Sequence, residues 1–265
     1  MKKTFSSKKS AFSLIELSIV LIIIGLLIAG ITGGASLIKS SELRSVMGEA
    51  RGYAVSVNSF YTQYDRYPGD SDTAVGLNSK CSGDRDNIIE YLNTVTATSC
   101  SEGLDAWNDL RDIGAIDLAL DLTTTQTGTG AATLATIPSV VPVTNIPGSK
   151  TKGNGWAFDN ISTVDNTNQN YVVLTGVTVG SKTTLINSGT ATDRAAAPAL
   201  SAPDALSIDS KIDDGKTNTG NIRGYDANNT GTATTCRDTT ASSSYRVSEG
   251  TKKVCTLAFR VDVSS

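Results

Sequence analysis

Ala11-Phe12-Ser13-Leu14-Ile15-Glu16-Leu17 opens the stretch on which the reading of this chain turns. Behind it, Leu17 to Ile38 runs for 22 residues without a charge or a proline, mostly Ile, Leu, Val, Ala and Gly. As a helix rising about 1.5 Å per residue it is roughly 33 Å long, enough to cross a hydrocarbon core of about 30 Å. Lys2, Lys3, Lys8 and Lys9 precede it, and a single acid, Glu16, stands just inside its entrance. A secretory signal peptide has a shorter apolar stretch of about 7–15 residues, and Glu16 interrupts the entrance here. An ordinary signal anchor fits the length, and the lysines would hold its start in the cytoplasm. It leaves the carboxylate unexplained. At the centre of a membrane helix an acid costs about 2.5–3.5 kcal/mol and usually has a partner; near the interface, snorkelling to water is the alternative.

The apolar run leads directly into an amphipathic pattern. Leu43, Val46, Met47, Ala50, Ala54, Val57, Tyr61 and Tyr64 recur at steps of three and four, with Glu42, Arg44, Glu49, Arg51 and Asn58 between them. That spacing marks one face of a helix. Phe12 to about Tyr64 therefore reads as one very long helix, ended by Tyr67-Pro68-Gly69-Asp70, because proline cannot continue the ladder. Gly25, Gly30, Gly33 and Gly34 lower helix propensity and also allow close helix contact. Further on, Ile88–Leu92 and Leu104–Ile113 read as short helices, the second with Trp107, Leu110 and Ile113 inward. Leu122–Ala135, rich in Thr, Gly and Ala, reads as a surface loop. Val140–Thr144, Trp156–Asp159, Tyr171–Thr175 and Thr183–Ile186 are strand candidates, and Tyr245–Val247 with Val254–Val261 suggests a hairpin. A long helix packed on a mostly antiparallel sheet is an α+β arrangement.

Composition narrows the chemistry. The chain has 265 residues, and without its first eleven it carries 19 basic against 26 acidic residues, a net charge of −7. No basic stripe interleaved with aromatics stands out, so nucleic-acid binding is not indicated. Histidine is absent, which removes His-based triads, His-ligated metals and imidazole acid–base chemistry. There is no GxSxG, P-loop or GxGxxG opening a helix. An enzyme is not expected.

Lys8-Lys9-Ser10-Ala11-Phe12-Ser13-Leu14-Ile15-Glu16-Leu17 resembles the prepilin signal of type IV pilins and type II secretion pseudopilins. The resemblance implies that a membrane peptidase, the prepilin peptidase, removes residues 1–11 by cutting between Ala11 and Phe12, and that Phe12 is then N-methylated. Ala11 departs from the glycine usual at that place. The resemblance also implies a role for Glu16 in assembly, pairing with the N-terminal amine of a neighbouring subunit. A charge satisfied only in the assembly sets register better than it adds stability. The chain would divide into a leader (1–11), a transmembrane and filament-core helix (12–38), its amphipathic half (39–67) and an exported pilin-like domain (68–265). Implied partners are copies of itself and other pilins, the peptidase, and an inner-membrane pilus assembly or secretion platform. Implied locations are the bacterial inner membrane and then a periplasmic or cell-surface filament. Three functions stay open: a major or minor pilin, a secretion pseudopilin, and a single-pass anchored exoprotein such as an adhesin, DNA receptor or enzyme.

Two further sets of residues stand out in the exported part. Cys81, Cys100, Cys236 and Cys255 form two local pairs, each separated by 19 positions, with no CxxC to suggest a zinc ribbon. In an exported chain disulfides Cys81–Cys100 and Cys236–Cys255 are expected, each worth about 3 kcal/mol by loop entropy; two other connectivities and buried free thiols are the alternatives. Ser201, Pro203 and Asp204 signal a helix start, and that helix runs into Asp213-Asp214-Gly215. With Asn218 and Asn221 the turn offers hard oxygen ligands suited to calcium, and the resemblance points the same way, since major pseudopilins carry a calcium loop near their C-termini. The alternative is a hydrogen-bonded Asx turn that stops the helix.

Overall fold

The computed structural model describes residues 13–70, 83–91, 101–117, 141–161, 168–178, 184–186, 194–229, 232–238 and 243–262. Its longest element is α1, Leu14–Tyr64, 51 residues of unbroken helix that run straight through Gly33 and Gly34. The chain divides into two compact units, residues 1–42 and 43–265, with the division falling inside this helix.

In the first unit the described residues are almost wholly helical and exposed. Leu14, Leu21, Leu26 and Leu37 show 86%, 70%, 70% and 74% of their surface, so these apolar side chains are exposed among the described residues.

The second unit is built around an antiparallel sheet. Its strands are β1 (Gly155–Ile161), β2 (Gln169–Thr175), β3 (Leu200–Ser201), β4 (Ile222–Asp226) and, after a small separate pair β5 (Asn228–Asn229) and β6 (Thr232–Ala233), β7 (Lys253–Arg260). β1 pairs with β2 from Gly155 opposite Thr175 to Ile161 opposite Gln169. β2 pairs with β7 at Tyr171–Arg260 through Leu174–Leu257, and β4 pairs with β7 at Ile222–Phe259 through Asp226–Cys255. β3 meets β7 at Cys255 and Lys253. β7 is therefore a central strand, buried from Val254 to Phe259, which is why its sequence is a nearly continuous apolar run instead of an alternating one.

Two helices and the end of α1 complete the core. From Leu43 onward α1 buries Leu43, Val46, Ala50, Val57 and Phe60, with Met47, Tyr53, Ala54, Tyr61 and Tyr64 packed partly against the same core. α2 (Glu102–Asp112) starts at Ser101, whose hydroxyl accepts from Leu104 N–H at 3.2 Å, a regular N-cap. Gly103 lets α2 lie on β1: a Cβ there would stand 2.4 Å from the Phe158 carbonyl oxygen. The aromatic rings then close the layer. Tyr53 meets Trp107 at 4.9 Å and Trp156 at 5.7 Å, and Trp107 meets Phe158 at 4.3 Å between centroids. α3 (Ala202–Ile212) is capped by Ser201, which accepts from Asp204 N–H at 3.3 Å.

Glu49 shows what the helical wheel alone misses. It sits between the apolar positions of α1, yet its carboxylate accepts from Trp156 Nε1 at 2.8 Å, Ser149 Oγ at 2.7 Å and Lys150 N at 2.8 Å. The acid ties helix to sheet.

Several expected elements differ. Residues 88–91 are not helical: Ile89 N–H donates to Asn170 Oδ1 and Tyr91 N–H to Asp159 Oδ1, so side chains from the sheet take the place of an i−4 ladder. Residues 141–146 form a turn with a single bridge between Pro142 and Ile146 instead of a strand, since Pro142 has no N–H for a ladder. Thr184 makes only an isolated bridge to Arg194, while Leu185 and Ile186 donate to Asp159. Tyr245 bridges Arg237 and Val247–Glu249 is a 3-10 turn, so no hairpin joins 245–247 to β7, whose partners are β2, β3 and β4. Leu92, Leu122–Ala135, Val140 and Thr183 lie outside the described residues.

Candidate functional site

The N-terminal site is built on the first turn of α1. Ser13 is the residue before the helix, and the Glu16 carboxylate accepts from Ser13 N–H at 2.9 Å while Ser13 Oγ accepts from Ile15 N–H at 3.4 Å. This is a capping box: the acid three places in satisfies one of the free donors at the helix start. Within one chain the carboxylate thus has a local partner, and its charge also favours the positive end of the helix dipole. Glu16 remains exposed, as do the apolar side chains beyond it. Ala11 and Phe12 lie outside the described residues.

α1 is long and apolar enough over its first half to cross a membrane. A long apolar helix whose second half enters an antiparallel sheet domain defines a pilin-like α+β architecture. Residues 6–32 match the family model of the prokaryotic N-terminal methylation motif, the prepilin signal of type IV pilins and pseudopilins. This chain is accordingly pilin- or pseudopilin-like, carrying a signal that implies processing by prepilin peptidase and handling by membrane assembly machinery in general. No curated protein and no solved structure matches it.

Of the four cysteines, Cys236 and Cys255 form a disulfide with Cα atoms 4.8 Å apart, both buried and anchoring the start of β7 to the preceding loop. Cys81 and Cys100 lie outside the described residues.

The loop after α3 is organised by its own carboxylates. Asp213 Oδ2 accepts from the backbone N–H of Asn221 and of Ile222, at 2.5 and 2.9 Å. Asp214 accepts from Lys216 N–H at 2.9 Å and from the Thr219 hydroxyl. Asn221 thus contributes backbone to Asp213. The structure adds Asp209, which sequence reasoning left out: its carboxylate joins those of Asp213 and Asp214 and accepts from Tyr245 Oη at 2.7 Å and Gly215 N–H at 3.2 Å. Asn218 Oδ1 is buried without a hydrogen-bond partner among the described residues. A cation here would be held by Asp209, Asp213 and Asp214, but each of the three carboxylates is also committed to the loop's own turns, the pattern of an Asx-type helix stop.

Burial shifts the titration of several acids. Asp70, Asp159 and Asp209 are each pushed up to about 6, in every case mainly by desolvation, and Glu90 to about 7 by desolvation and then by Asp86, Asp84, Asp159 and Asp70. Backbone N–H donors from Tyr91, Leu185 and Ile186 oppose the shift of Asp159 without cancelling it. A carboxyl whose folded pKa exceeds its unfolded value binds its proton first in the folded state. Its stabilising effect is complete below the unfolded pKa, near 4, and is lost as pH rises through the folded value, near 6 to 7. The thermal midpoint of metal-free protein is therefore expected to be higher at about pH 5 than at about pH 7.5. A midpoint that falls between those values on acidification, followed by circular dichroism, contradicts this assignment.

Proposed function

We propose that this chain is a non-enzymatic structural subunit of a type IV pilus or pilus-like filament, processed at Ala11–Phe12 and assembled through α1. The observation that supports it best is the exposed, apolar first half of α1 lying inside a matched methylation motif, with Glu16 as the sole charge between Ser13 and Ile38. Stored in a membrane, that surface faces lipid. In a filament the same surface faces copies of itself, and because lipid is as apolar as leucine, association rests on close packing and on polar matching at Glu16. The small residues Gly25, Ala29, Gly30, Gly33 and Gly34 suit such close approach. The domain from Leu43 onward faces outward and determines what the fibre touches.

Two measurements test this reading together. Mass spectrometry of the native protein should find a mature N-terminus at Phe12 carrying one added methyl group. Electron microscopy of a strain lacking the chain should show filaments missing or altered. An intact Met1 terminus on the membrane-extracted protein rules the proposal out.

A further inference from the structure

The second half of α1 carries an exposed stripe on the side turned away from the core. From Gly48, steps of four and three reach Gly52, Val55, Ser59 and Thr62, and all five residues are exposed. The same steps run back through Ser45 and Ser41 to Ile38, inside the apolar segment. Residues so spaced share one side of a helix. At 3.6 residues per turn this side is opposite Leu43, Val46, Ala50 and Val57, which are buried.

Two features set the stripe apart from an ordinary solvated face. Glycine weakens a helix interior, yet Gly48 and Gly52 both stand inside this long helix. Packing among the described residues does not call for them, since a Cβ at either would meet nothing within 4 Å. Glycines four apart let a second helix come close, and Val55 beside them exposes 68% of its surface. The two flanks of the stripe also differ in sign. Arg44 and Arg51 follow one flank, and Glu42 and Glu49 the other. Both arginines are exposed, and neither is paired with an acid among the described residues. Glu49 is half-buried and fixed in place by Trp156 and Ser149.

We propose that a second copy of this chain lays its own α1 in parallel along this stripe, making a dimer in the membrane before any filament forms. This rests on the reading of the first half of α1 as a membrane segment, which makes both copies run in one direction. In a parallel helix pair, a residue on one flank meets the opposite flank of its partner five positions on. Arg44 of each copy therefore falls beside Glu49 of the other. The stripe lies opposite the buried side of α1, so the two sheet domains stand outside the helix pair and do not collide. The apolar half holds the helices together in lipid, while the glycines select the face and the charge pair selects the register.

Sedimentation equilibrium of the full-length chain, leader intact, in density-matched micelles of a non-ionic detergent tests this. With the leader in place the result is independent of cleavage at Ala11–Phe12 and of filament formation. Wild type should be a monomer–dimer equilibrium. Gly52→Leu fills the stripe without touching another part of the described chain, so it should keep the thermal midpoint and weaken dimerisation at least about tenfold. Gly48→Leu should do the same. Arg44→Glu should weaken dimerisation by bringing like charges together, whereas Lys152→Glu, an equal charge change at an exposed position of the sheet domain, should not. A wild-type chain that stays monomeric at every concentration overturns the proposal. So do dimers undiminished in both leucine variants, which would place the contact in the apolar half alone or on another face. Equal weakening by Arg44→Glu and Lys152→Glu overturns it as well, because net charge would then be the cause.

Discussion

Replacing Glu16 by glutamine is expected to stop filament formation as completely as replacing it by alanine, with processing and the folded domain unaffected. The two substitutions separate two uses of the same side chain. Within one chain Glu16 caps α1 by accepting from Ser13 N–H. Glutamine keeps an oxygen acceptor at that place, so the cap survives, whereas alanine removes it at a cost of about 1 kcal/mol. A cap alone is too small to decide assembly of a helix of 51 residues. What both variants lose is the negative charge, and a filament in which each carboxylate meets the amine of a neighbouring Phe12 needs it for axial register. Filament counts by electron microscopy, with mature protein level checked by immunoblot, decide the matter. If the glutamine variant assembles like wild type, Glu16 is a helix cap and the register argument falls.

The largest loss of stability is expected from Trp107→Ala. Trp107 is fully buried, stacks at 4.3 Å on Phe158 and takes the edge of Tyr53 at 4.9 Å, so it joins α2, β1 and α1 in one contact. Truncating an indole of this kind leaves a cavity that such a layered core closes poorly, at about 3–5 kcal/mol. Domains of this class are stable by only about 5–15 kcal/mol in total. Trp107→Phe should cost less than about 1.5 kcal/mol, the range for swaps that roughly keep volume, because among the described residues its Nε1 makes no hydrogen bond that phenylalanine would lose. Urea denaturation of the three proteins gives the comparison directly. Equal losses for the two variants would mean that the indole nitrogen has a partner after all.

The elements read correctly from sequence were those with a long, one-sided pattern. The α1 stripe from Leu43 to Tyr64 and the α2 positions Trp107 and Leu110 each repeat a period that few alternatives share, while β7 was legible as a strand from its short, nearly continuous apolar run. The α3 start was legible because Ser201, Pro203 and Asp204 form a local cap. Misreadings fall where distant side chains replace the local ladder. Asp159 alone holds Tyr91, Leu185 and Ile186 by their backbone N–H groups, so segments with strand-like or helix-like composition are irregular, and no window of sequence contains the acid responsible. β4 went unread because Ile222-Arg223-Gly224-Tyr225-Asp226 is short and carries glycine; its place beside β7 comes from tertiary pairing. Of the site, the methylation motif was plain in ten consecutive residues. Asp209 was not, since only the folded loop brings its carboxylate to those of Asp213 and Asp214.

The continuity of α1 has a mechanical corollary. There is no linker between the exposed apolar segment and the domain: the same hydrogen-bonded ladder runs from Leu14 to Tyr64, and from Leu43 it is part of the hydrophobic interior. A tensile load on the greasy end is therefore delivered to Val46, Val57 and Phe60 and to the Glu49 bonds with Trp156 and Ser149.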